Sequence, residues 1–124
     1  MIKTNTNAVR KQIKTVLDAL CNTVSYEILP SPITYPYIVF SIRLIQEDYG
    51  RQQLRMEVDC VSQDTAEAES LADQVQDTFN HYNYIDENIS LTGYIDQRDT
   101  ITEEDKRVKR KKVTFQLDYY PREE

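Results

Sequence analysis

The most regular pattern in the chain runs over residues 35–61, YPYIVFSIRLIQEDYGRQQLRMEVDCV. Ile38, Phe40, Ile42 and Leu44 alternate with other residues, and Leu54, Met56, Val58 and Cys60 repeat the alternation on the way back. A period of two sustained over that length predicts two strands of a sheet with one buried face. Gly50, after Asp48 and Tyr49, supplies the positive-φ residue that a short hairpin turn needs. The reverse face of the second strand carries Arg55, Glu57 and Asp59, which belong in water or against a polar partner.

Helical spacing takes over on either side. Over residues 6–22, Val9, Ile13, Val16, Leu17, Leu20 and Cys21 share one stripe, with Arg10, Lys11, Lys14 and Asp18 opposite. Thr4, Asn5 and Thr6 offer N-cap side chains. After the first hairpin, Asp64 and Glu67 form a capping-box pair, Asp64 accepting from the amide of residue 67. Ala68, Leu71, Ala72, Val75, Phe79 and Tyr82 then recur at three and four, predicting a second helix that ends near residues 81–83.

Between the first helix and the first hairpin, residues 24–29 suit a short strand. Pro30, Pro32 and Pro36 follow, which cannot sit in a helix or a central strand and predict an extended connector. The Tyr35–Pro36 bond is a candidate for cis, with trans favoured. A second hairpin closes the chain: Ile89, Leu91, Gly93 and Ile95 alternate outward, and Val113, Phe115, Leu117 and Tyr119 alternate on the return. Gly93 inside a strand predicts a bulge or a close approach by a neighbouring side chain.

The predicted order is therefore α-β-β-β-α-β-β in one domain over residues 1–124, with a long charged β-hairpin at about 97–112. One-faced helices and a mostly antiparallel sheet predict an α+β, two-layer sandwich with both helices on one face.

Charge sharpens this picture. The formal net charge is −6, which argues against a general nucleic-acid binder. Yet Lys106, Arg107, Lys109, Arg110, Lys111 and Lys112 crowd one short segment, directly after Glu103, Glu104 and Asp105. The plain reading is a solvated hairpin; the sharper one is a polar arm that meets another subunit. Cys21 and Cys60 lie on apolar faces without ligand spacing and read as buried free thiols. The N-terminal MIKTNTNAVRKQIK lacks an apolar signal core, and no apolar run approaches a membrane span, so the expectation is a protein kept inside a cell.

Candidate chemistry is sparse. His81 is the only histidine and has no second ligand at useful spacing, so it reads as a helix-end residue. The paired carboxylates fall in turns, and two glycines cannot build a phosphate loop. The nine tyrosines flank strands and turns, where the ring is equally at home in a fold or in an interface. The expectation is no catalytic residue, no metal and no cofactor.

Three segments together carry a resemblance: the connector ending in Tyr35-Pro-Tyr37-Ile-Val-Phe40, the strand Met56-Glu-Val-Asp-Cys-Val61 running into Ser62-Gln-Asp-Thr65, and the helix Ala66-Glu-Ala-Glu-Ser-Leu-Ala-Asp73. With the charged hairpin that follows, they resemble the tail-completion, or tail-terminator, proteins of long-tailed bacteriophages and prophages, including head–tail joining members. The likeness spans residues 9–120. It implies a structural, non-enzymatic role in the virion: a ring, hexameric in many members, that ends the tail tube and docks to the head connector. DNA passes through the lumen without specific binding, and assembly takes place in the bacterial host cytoplasm. The implied partners are further copies of itself, the tail tube protein and head connector proteins, with a monomer as the isolated form and no membrane contact. Lys106, Arg107, Lys109, Arg110, Lys111 and Lys112 are the expected subunit-interface residues, from their charge and not from any motif. A different class remains as the alternative: a small ferredoxin-like RNA-binding module using the sheet face and the basic ribbon 106–112.

Overall fold

The computed structural model describes residues 6–48 and 51–121. The turn expected at Tyr49 and Gly50, and the caps expected from Thr4 and Asn5, lie outside the described residues. The elements are α1 (Thr6–Asp18), β1 (Val24–Tyr26), β2 (Tyr37–Asp48), β3 (Arg51–Ser62), α2 (Thr65–Phe79), β4 (Tyr82–Ile85), β5 (Ile89–Ile101) and β6 (Lys109–Pro121). The six strands form one mixed sheet in the order β1-β2-β3-β6-β5-β4. Only the β1–β2 pair is parallel; the other four pairs are antiparallel.

The alternation of the first hairpin sets the core. Phe40 faces Val58, Ile42 faces Met56 and Leu44 faces Leu54, which puts the apolar column of both strands on one side. Along β3 the even-numbered residues Gln52 to Ser62 are all buried, while Arg55, Glu57 and Asp59 are half-buried on the reverse side. Val9, Ile13 and Leu17 of α1 and Leu71, Val75 and Phe79 of α2 enter the same core cluster as Phe40, Met56, Phe115 and Tyr119. Each fully buried side chain of that size contributes roughly 1.5–3 kcal/mol through removal from water. Cys21 and Cys60 are both free and buried, and burial pushes the Cys60 thiol up to about 12.

The α+β class stands, but the sheet is a curled half-barrel rather than one layer of a two-layer sandwich. Register shifts between Leu44 and Gln46 in β2, and between Ile95 and Gln97 in β5, supply local bends. The element order also gains a strand. α2 stops at Phe79, Asn80 leaves helical geometry, and His81 takes a φ of 63°, which turns the chain into β4. Tyr82 lies three residues after Phe79, so it satisfied the helical stripe as well as the strand alternation with Tyr84. Local spacing alone could not separate the two.

Two smaller expectations change as well. Asp64 caps α2 by accepting from Ala66 N–H at 3.0 Å, while the Glu67 carboxylate accepts a hydrogen bond from the Ser62 hydroxyl instead of reaching back to the Asp64 amide. That same hydroxyl accepts from Asp64 N–H at 3.1 Å, so Ser62 links the strand end to the cap. Tyr35–Pro36 is cis, as is Ser31–Pro32. The trans preference before proline is only about 0.5–1 kcal/mol, which surrounding packing can override. Gly93 answers the expectation of a close approach: a Cβ there would lie 2.7 Å from Leu117 Cδ2.

Candidate subunit interface

The basic segment is divided by the fold. Lys109–Lys112 form the start of β6, a strand paired on both sides, with Lys112 between Asp59 of β3 and Asp99 of β5. The hairpin is thus not a free ribbon over 97–112, because its strands belong to the sheet and only residues 102–108 connect them. Strand alternation sends Arg110 and Lys112 to the polar face and Lys109 and Lys111 to the helix side.

Each strand cation meets a group of its own chain. Arg110 Nη1 contacts Asp59 Oδ2 at 3.1 Å, and its Nε contacts Glu103. Lys112 Nζ lies 3.4 Å from Glu57 Oε2. On the other face Lys111 Nζ meets Glu69 Oε1 of α2 at 2.6 Å and donates to Thr100 Oγ1 at 2.8 Å. Lys109 Nζ donates to the Lys106 carbonyl at 3.0 Å. In the connecting loop Arg107 folds back on Asp105 at 3.1 Å, although its side chain is 82% exposed. Lys106 has no ion pair among the described residues and is exposed. The two cations presented outward are therefore Lys106 and Arg107.

Burial and charge compete in this network. Burial raises the Asp59 carboxyl above its ordinary range against the pull of Lys112 and Arg110. Arg110 is itself desolvated, yet Asp59 and Glu103 hold its guanidinium charged with a raised pKa. Asp59 Oδ1 is buried and has no hydrogen-bond partner among the described residues. At the rim, the Lys111 hydrogen bond lowers the Glu69 carboxyl. Beside the loop lies an open groove of about 280 Å³, lined by Thr65, Thr100, Thr102, Lys106, Lys109 and Lys111 among others.

Arg98 is the residue that sequence reading missed. Its guanidinium, on β5, donates to Asp73 Oδ1 at 2.7 Å, Gln76 Oε1 at 3.0 Å and Glu69 Oε2 at 2.8 Å. Those three acceptors recur at four and three along α2, a polar stripe beside the apolar one. That stripe was the available signal, hidden because Arg98 falls where strand periodicity fades.

The other candidates resolve into structure. His81 is exposed at the turn after α2. Among the described residues, no group of three or more His, Cys, Asp or Glu could hold a metal ion, and no helix is long and apolar enough to cross a membrane. Tyr37 and Tyr119 are buried, and the Tyr82 hydroxyl accepts from Gln12 Nε2 at 3.0 Å, tying α1 to β4. Tyr94 and Tyr120 remain 42% and 44% exposed.

No protein-family model and no curated protein matches the sequence. Among solved structures, the fold is similar to that of a chain in the virion of the native gene transfer agent particle. The two share 17% sequence identity over 90% of this chain and 91% of that one, with a TM-score of 0.67. The α+β architecture is thus one that a chain of a gene transfer agent virion also uses.

Proposed function

We propose that this protein is a structural, non-enzymatic subunit of a phage-like particle, acting as a tail-completion component that caps the tail tube and contributes to head–tail joining as a ring. The observation that carries this reading is the near end-to-end likeness of fold to a chain of a gene transfer agent virion. The resemblance of the connector, the β3 end and α2 to tail-completion proteins points the same way. Within the ring, the outward cations Lys106 and Arg107 meet acidic side chains of a neighbouring subunit or docking protein. Exposed pairs of this kind are worth only about 0–1 kcal/mol each and set register more than strength. The internal pairing of Arg110, Lys111 and Lys112 weighs against the RNA-binding alternative, because those charges are already answered by Asp59, Glu57 and Glu69.

The test is deletion of the coding gene in a host that produces the particle. The expected result by negative-stain microscopy is filled heads separate from tails of uncontrolled length, restored by supplying the gene in trans. Normal joined particles after deletion would overturn the reading.

A further inference from the structure

The sheet is stepped at both edges. β1 covers β2 only from Val24↔Ile38 to Tyr26↔Phe40, and β4 covers β5 only from Tyr82↔Gly93 to Ile85↔Ser90. Among the described residues, no strand pairs with the second edge of residues 41–48 of β2 or of residues 94–101 of β5, and the two stretches are equal in length. Each begins with a side-chain cap. The Tyr26 hydroxyl donates to the Ile42 carbonyl at 3.3 Å, and Ile95 N–H donates to Asn80 Oδ1 at 3.1 Å. Beyond the caps lie residues 43–48 and 96–101, again equal, each about 20 Å of strand at roughly 3.3 Å per residue. Unpaired edges of this length are templates for another strand.

The two edges are also unlike and complementary. The strand order makes β2 and β5 run in opposite directions, so a neighbour in the same orientation brings its β5 antiparallel to β2. The β2 edge presents Leu44 and Ile45 at 49% and 53% exposure, and the β5 edge begins beside Tyr94 at 42%. Arg43 on β2 stands in the cross-strand column of Arg55, and Asp99 on β5 in that of Lys112 and Asp59. All of these lie on the polar face, so a register with Arg43 opposite Asp99 preserves the faces and pairs opposite charges.

We infer that a second copy of this chain docks its β5 edge antiparallel onto the β2 edge with Arg43 opposite Asp99, so that residues 41–48 face residues 101–94 and the uncapped residues 43–46 face 99–96. The contact is heterologous, so it repeats from copy to copy and continues the sheet. The open stretches lie at opposite ends of the sheet: β2 ends beside Gln52↔Tyr119, and β5 ends beside Ser62↔Lys109. Successive copies are therefore staggered along the strands, and such a stagger closes when the strands tilt to the ring axis, as in barrels. This rests on the ring reading above and names its contact surface.

The test is disulfide trapping between full-length single variants. Cys21 and Cys60 are buried, so an introduced surface thiol reacts selectively under a mild oxidant. Arg43→Cys mixed with Asp99→Cys should give a covalent dimer on non-reducing gels, while either variant alone stays monomeric. The double variant should give a ladder of multimers. Adding Ile45→Lys should reduce the mixed cross-link at least tenfold without changing thermal unfolding. Cross-linking of Arg43→Cys with itself as readily as with Asp99→Cys would overturn the pairing, as would no mixture-specific product up to the solubility limit. A failed cross-link with tails still unjoined after gene deletion removes the pairing and leaves the structural role. A successful cross-link with normal particles after deletion does the reverse.

Discussion

Arg98 Nη1 and Asp73 Oδ1 lie 2.7 Å apart across 25 residues of sequence, joining β5 to α2. The same guanidinium reaches Gln76 and the side chain and carbonyl of Glu69, so one planar group uses several donors on one helix. Its side chain is 24% exposed while that of Asp73 is 63% exposed, so solvent screens part of the attraction. Arg98→Ala is expected to lower stability by about 1–2 kcal/mol in urea unfolding. Arg98→Lys should recover less than half of that, because an ammonium cannot reproduce the fork. Full recovery by lysine would show that charge alone matters here.

The core prediction follows from the β2–β3 register. Phe40 and Met56 are 1% and 0% exposed and face the same side, toward both helices. Phe40→Ala should cost about 3–5 kcal/mol. Arg55→Ala, on the opposite face and directly across from Arg43, should cost under about 0.5 kcal/mol. Similar losses from the two variants in chemical denaturation would contradict the assignment of faces.

The contrast between these two predictions shows where sequence was informative. Phe40 and Met56 were legible because a one-faced strand imposes a period of two on its own residues. Arg98 was not, because its partners lie on another element and no local period announces a tertiary contact. β4 was illegible for a different reason: Tyr82 satisfies two periods at once, and the break depends on the backbone at Asn80 and His81. The basic segment misled through charge density. Six cations in a short run suggested a free arm, whereas alternation along β6 distributes four of them over two faces that already hold Asp59, Glu57 and Glu69.

Glu69 supplies a pH prediction. Its carboxyl is lowered from the ordinary value of 4.5, first by the hydrogen bond from Lys111. A group with a depressed folded-state pKa stabilises the fold above its unfolded value, and that contribution is lost as pH falls through the folded value. By carbon-detected NMR the Glu69 titration midpoint should lie below 4.5 in the wild type and move upward in Lys111→Met. The melting temperatures of the two proteins should converge as the pH is taken down through that depressed midpoint. A gap that widens on acidification would mean that another carboxylate dominates.

The division of the basic segment decides how its role in assembly can be tested. Replacing Lys109, Arg110, Lys111 and Lys112 together by Glu would set new carboxylates against Asp59, Glu57, Glu69 and Glu103, inside a central strand. Asp59 is already raised by burial, and losing its cations removes what offsets that cost. The fourfold variant is therefore expected to unfold or aggregate, and a loss of assembly from it would carry no information about contacts. Lys106→Glu with Arg107→Glu avoids this, since both positions are exposed in the connecting loop and, among the described residues, Arg107 has an ion pair only with Asp105 two positions before it. That double variant should melt within a few degrees of the wild type, because exposed pairs contribute about 0–1 kcal/mol. In particle assembly it should reduce joining of tails to heads at least tenfold, with partial recovery at raised salt as like charges are screened. Normal joining by a folded Lys106→Glu, Arg107→Glu protein would show the loop to be a solvated tip, leaving the strand edges as the surface that holds neighbouring subunits.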